Sequence, residues 1–194
     1  MKQATRKILL EILLFGFLLA ALQIIISLVF SCFYTEKTTM EEANGELILL
    51  MLVNQLLFIG LLLLGLVRVA KRFSKPGYWW LVLCAFGMLV VNYHFSYAYN
   101  LFDYYTIHQP PEKPSGDDME KFMEWVYEVS KNPPPNYNLV IYLLGALFVN
   151  LYNAFFRFNM VWVIYFLITG LPTMPLWVSG LALLYSRKKK NKMQ

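Results

Sequence analysis

The chain has 194 residues, 58% of them hydrophobic and 15% charged, where an ordinary soluble domain carries roughly 45–50% and about 25%. A water-soluble body of this length cannot bury that much apolar surface and still cover itself with polar groups. The composition therefore excludes a soluble globular enzyme, a disordered chain and a disulfide scaffold, and points to an all-α polytopic helical membrane protein.

The first hydrophobic run, residues 8–34, follows Lys2, Arg6 and Lys7. It is about twice the length of a signal-peptide apolar region and contains Glu11 and Gln23, so a retained helix is expected. Lys7 and Glu11 are four residues apart and are expected to pair on one helix face. Residues 35–46 carry Glu36, Glu41, Glu42 and Glu46 against Lys37. A second run covers 47–70, with Asn54 and Gln55 inside it, and leads into the basic residues Arg68, Lys71, Arg72 and Lys75. The third run, 78–99, is entered through Pro76 and Gly77 and opens on the interfacial pair Trp79 and Trp80. Cys32 and Cys84 fall in or beside separate runs and read as two small buried thiols.

Residues 100–137 form a long polar loop with six prolines (Pro110, Pro111, Pro114, Pro133, Pro134, Pro135). Within it, 115–131 reads as a short amphipathic helix. Ser115 and Asp118 have capping-box spacing, and Met119, Phe122, Met123 and Val126 recur at helical spacing. Asp117, Asp118, Glu120, Glu124 and Glu128 against Lys121 and Lys131 make the rest acidic. The fourth run is 138–156. After Arg157 a further apolar stretch, 158–186, is expected to be broken at Gly170, Pro172 and Pro175, and residues 187–194 form a basic tail. The expected organisation is thus three transmembrane helices over 1–99, an outer loop over 100–137, a fourth span with a Pro-broken segment over 138–186, and the tail.

A hydrocarbon core of about 30 Å needs roughly 20 apolar residues as a helix, and four runs meet that length. Cytoplasmic flanks collect Lys and Arg. With the N-terminus inside and 158–186 as a full fifth span, 8 Lys/Arg lie inside and 9 outside. If the chain instead returns, through a re-entrant hairpin or a long tilted fourth helix with an interfacial tail, 13 lie inside and 4 outside. The charge distribution favours the return, with both termini cytoplasmic in a bacterial inner membrane. It also argues against nucleic acid, since the basic residues sit in short clusters beside hydrophobic runs, where they meet anionic headgroups.

Polar side chains at membrane depth are the default candidate sites. In the third run Asn92 and His94 stand in a polar group toward the outer end. In the fourth, Asn150, Asn153 and Arg157 share one face at i, i+3 and i+7. Helix-to-helix hydrogen bonding accounts for most such residues, and depth separates His94 from Arg157. Bis-histidine haem, a zinc cluster, a phosphate loop and a nucleophile elbow have no matching spacing here. No cofactor is expected, and a catalytic role is not.

In plan, the short length, the basic loop after the second span and the lysine-rich tail resemble small four-helix bacterial inner-membrane proteins. Colicin immunity proteins and membrane sensor modules are among them. These shared features follow from membrane topology, and no functional residue is carried over. The expectation is a non-catalytic accessory subunit, possessing two partners: the lipid bilayer and another membrane or periplasmic protein. The latter would dock on Met119, Phe122, Met123, Trp125 and Val126. The alternatives are a small-molecule or ion transporter subunit using the broken helix, and a sensor or immunity-type protein.

Overall fold

The computed structural model describes residues 3–33, 44–73, 77–108, 112–114, 119–131, 134–140 and 173–191. Their regular structure is entirely helical. Three long helices come first: α1 (Gln3–Phe33), α2 (Asn44–Ala70) and α3 (Tyr78–Asp103), the last continued by a π-helical turn at Tyr104–His108. They are followed by α4 (Met119–Lys131) and α5 (Thr173–Asn191). The 31, 27 and 26 residues of α1–α3 give rods of roughly 40–46 Å at 1.5 Å per residue, longer than the hydrocarbon core. In such sequences the helix is imposed by the solvent: lipid offers backbone N–H and C=O groups no partner, so each must be satisfied within its own segment.

Among the described residues, three stretches are long and apolar enough to cross a membrane: Gln3–Val29, Leu52–Ala70 and Tyr78–Thr106. The first three of the expected spans are thus supported. Of the fourth run only 138–140 are described, and Asn150, Asn153, Arg157, Gly170 and Pro172 lie outside the described residues. Pro175 is the third described residue of α5, and the stretch just before that helix, where the break is expected, lies outside the described residues. The helix in the outer loop is present from Met119, while Ser115 and Asp118 fall outside the description.

The register of the bundle follows from a few contacts. A side chain at Gly87 would meet Ile12, one at Gly16 would meet Val91, and the rings of Phe17 and Phe95 lie 5.1 Å apart. Residue numbers rise together along this seam, so α1 and α3 are parallel. Glu11 meets Arg72, while Phe15 lies against Gly65, so α2 runs antiparallel to α1. α5 packs against α2 and α3. The core between them is apolar, with Leu19, Leu62, Leu66, Leu81, Met88, Leu89 and Val178 fully or almost fully buried. Outside it, Leu10, Leu13, Leu14, Leu56, Leu57, Leu64 and Leu83 are exposed. Large apolar side chains on the outer surface of long helices make the external belt expected of a body solvated by lipid.

Glycine matters where α1 crosses α3. A Cβ on Gly16 would stand 2.6 Å from Val91 Cβ and 2.8 Å from the Met88 carbonyl oxygen. Small residues let membrane helices approach until their backbones nearly touch, which maximises dispersion where no hydrophobic drive exists between helices. Gly60, by contrast, has nothing within 4 Å of where its Cβ would stand.

Candidate functional sites at the two ends of the bundle

At the end where α1 begins and α2 finishes, Glu11 is buried in the bundle wall. Its Oε1 accepts a hydrogen bond of 2.9 Å from Arg72 Nη2, and its Oε2 lies 3.6 Å from Arg68 Nε. The Arg68 guanidinium also sits over the Phe15 ring, 5.9 Å from its centroid, within cation–π range. The expected Lys7–Glu11 pair is replaced by this arrangement. Lys7 is exposed, and the carboxylate turns inward to α2. A carboxylate leaving water needs charge and hydrogen bonds together, and guanidinium supplies both in a planar fork that ammonium lacks. α2 is extended by a turn in which Lys71 N–H donates to Val67 O and Arg72 N–H to Val69 O. Arg72 thereby stays on the helical track beneath Glu11. At the same end the Tyr78 hydroxyl donates to the Leu176 carbonyl at 3.1 Å, tying the start of α3 to α5.

The opposite end is built from tyrosine and histidine. His94 Nδ1 lies 2.7 Å from the Val90 carbonyl oxygen, and His94 Nε2 lies 2.7 Å from the Tyr137 hydroxyl. A carbonyl only accepts, so Nδ1 carries a proton, and in the tautomer that leaves Nε2 bare the Tyr137 hydroxyl donates to it. The Asn138 N–H donates to Tyr93 Oη at 2.8 Å, and Tyr97 Oη donates to the Pro135 carbonyl at 3.3 Å. The ring of Tyr137 lies 5.3 Å from that of Tyr93 and 5.0 Å from that of Tyr97. Residues 93, 94 and 97 form one turn-and-a-bit of α3, and together they clasp the end of the loop at Pro135, Tyr137 and Asn138. Ser96 donates to Gln23 Oε1 at 3.3 Å, the interhelical hydrogen bonding expected of polar residues at membrane depth. Asn92 faces inward and is 1% exposed, whereas His94 is exposed. His94 therefore belongs to the clasp, not to the interior beside Asn92.

Beyond the bundle helices in the chain, α4 has a divided surface. Met119, Phe122, Met123 and Val126 fall on one face at i, i+3, i+4 and i+7, and all four are exposed. Trp125 is half-buried and packs beside Phe122 with ring centroids 5.7 Å apart. Glu120, Glu124 and Glu128 occupy another face at four-residue spacing. α4 follows the far end of α3 in the chain, away from the Glu11 cluster.

Cys84 is free and buried, and the Cys32 side chain lies outside the description. Asn54 and Gln55 are half-buried on α2. No group of three or more His, Cys, Asp or Glu among the described residues is placed to hold a metal ion. Three contacts are not evident from the sequence: that of Tyr137 with His94 and those of Arg68 and Arg72 with Glu11. Tyr137 was read only as loop. The partners of Glu11 were sought one turn away and not in the second basic cluster, although a lone acid in an apolar run, with a pair of arginines on the same membrane side, was the available signal. The chain matches no protein-family model, and no curated protein or solved structure is similar to it.

Proposed function

We propose that the protein is a non-catalytic, partner-binding membrane subunit that docks a second membrane or periplasmic protein on α4. The observation that carries this reading is the α4 surface. Met119 and Met123 are 70% and 59% exposed, on a helix whose polar face is acidic. Helices that rest on a bilayer carry basic polar faces that attract anionic lipid, and an acidic one is repelled from the same surface. Methionine and aromatic side chains on an exposed stripe are adaptable protein-contact chemistry.

The membrane is taken to be the bacterial inner membrane, with the Glu11 end facing the cytoplasm. Support comes from the basic residues that crowd that end and from the Tyr78–Leu176 contact, which holds α5 there.

Site-specific photo-crosslinking in intact cells tests the docking. A photoreactive residue at Phe122 or Met123 is expected to give one discrete protein adduct, lost when Met119 and Val126 become Asp. The same probe at Lys121 or Glu128 is expected to give little. Adducts to lipid, or equal labelling from every face of α4, reject the proposal in favour of a helix lying on the membrane.

A further inference from the structure

We infer that the outer stripe of α2 is the seat of one anionic phospholipid, whose phosphodiester is held by Arg68, Lys71 and Arg72. Three observations meet there. The first is register. Leu57, Gly60, Leu64, Arg68 and Lys71 follow one another at three- or four-residue intervals, and all five are exposed. They form a single stripe that is apolar along its length and cationic at its end. The second is depth. The exposed apolar side chains of α2 continue past Leu57 to Val53 and Leu52, so the stripe covers at least the Leu57–Arg68 distance of about 16 Å, the acyl depth of one leaflet of a core of about 30 Å. The third is the shape of the stripe's middle. The open space at Gly60 leaves a shallow groove between Leu57 and Leu64 where an acyl chain can lie against backbone.

The head of the stripe is organised in advance. Glu11 and the Phe15 ring hold the two guanidiniums, yet the Arg68 and Arg72 side chains remain 51% and 43% exposed. Arginine carries five N–H donors, and Glu11 takes only one short hydrogen bond from Arg72. Both forks therefore keep outward donors. Three cations stand against one carboxylate, so the site retains surplus positive charge. A phosphodiester without a compensating ammonium fits that balance, and a zwitterionic headgroup fits it less well. Charge complementarity selects an anionic phospholipid as the occupant, since the surplus cations at the stripe's end call for a phosphate beside an apolar chain.

The test uses the full chain, purified in a neutral detergent and examined by native mass spectrometry while lipid is titrated. Phosphatidylglycerol is expected to be retained one per chain, at least tenfold more tightly than phosphatidylcholine. Lys71→Gln removes a headgroup cation without touching the Glu11 cluster. Gly60→Leu places a side chain in the groove, starting from a Cβ that meets nothing within 4 Å. Each is expected to weaken phosphatidylglycerol retention several-fold, with the thermal unfolding midpoint in lipid-free detergent not lowered. Equal retention of the two lipids overturns the inference, as does indifference to both substitutions. Displacement of phosphatidylglycerol by millimolar inorganic phosphate also overturns it, because a lipid seat draws on the acyl chain as well as the phosphate.

Discussion

Glu11 sets the terms at the scale of single residues. Its carboxylate is buried and its two arginine partners are about half-exposed, so water screens part of what the pair contributes. Breaking a fully buried pair costs about 3–5 kcal/mol, and exposed pairs are worth about 1 kcal/mol or less. Glu11→Ala is therefore expected to destabilise the detergent-solubilised protein by about 1–3 kcal/mol, read by chemical unfolding. A double-mutant cycle of Glu11→Gln with Arg72→Gln should return a coupling of the same sign, and zero coupling would show that the contact contributes nothing. The clasp at the other end makes a separate expectation. Tyr93→Phe removes the acceptor of the Asn138 N–H, a hydrogen bond worth about 1 kcal/mol. Hydrogen exchange at Asn138 should then quicken roughly fivefold, with exchange in the middle of α3 unaltered. These partners were only partly legible in the sequence. An acid in an apolar run announces that it needs a cation, but the choice between Lys7 and Arg72 depends on how α1 and α2 pack. His94 was visible as a polar residue at depth, whereas Tyr137 had no distinguishing pattern in a proline-rich loop.

For the helices as elements, apolar length was the legible quantity. The runs at 8–34, 47–70 and 78–99 became α1, α2 and α3 with ends moved by a few residues. α3 carries on past its apolar run to Asp103, and the π-helical turn after it opens on Tyr104 and Tyr105, amphipathic side chains suited to an interface. The acidic helix of the loop was legible from its three-and-four spacing. Close packing was not, since whether a glycine lies at a crossing depends on the neighbour. Gly16 and Gly60 make the contrast measurable. Gly16→Ala places a methyl against Val91 and the Met88 backbone oxygen and is expected to cost about 1–3 kcal/mol. Gly60→Ala meets open space and should be neutral or stabilise by about 0.5–1 kcal/mol, the usual gain from replacing helical glycine. Thermal unfolding of both variants in the same micelle decides it, and equal effects would refute the assigned α1–α3 crossing.

For the whole molecule, the decisive contact is the one from Tyr78 to Leu176. A side chain at Gly180 would also touch the Tyr78 ring, so this part of α5 lies beside the start of α3, next to the Arg68–Arg72 end. From Gly180 to Arg187 is seven residues, about 10 Å of helix, against the roughly 30 Å of a crossing. The expectation is that the basic tail lies on the same side as the loop between α2 and α3. In a Cys32→Ala, Cys84→Ala background, a cysteine at Lys188 should resist a membrane-impermeant maleimide added to intact cells, and one at Glu112 should react. Labelling at 188 from outside would reverse the assignment. The charge distribution of the sequence already leaned this way, but counting cations cannot say which helix holds the tail in place.

The Glu11–Arg72 bond joins residues 61 positions apart, and that separation bears on biogenesis. During synthesis the acid reaches the translocon well before the arginine is added, so α1 alone would enter lipid carrying an unmatched carboxylate. Entry as an α1–α2 hairpin avoids that penalty. Nascent chains truncated before residue 68 should accordingly be stripped from membranes by alkaline carbonate more readily than chains extending beyond residue 73. In this sense the second helix acts as the insertion partner of the first.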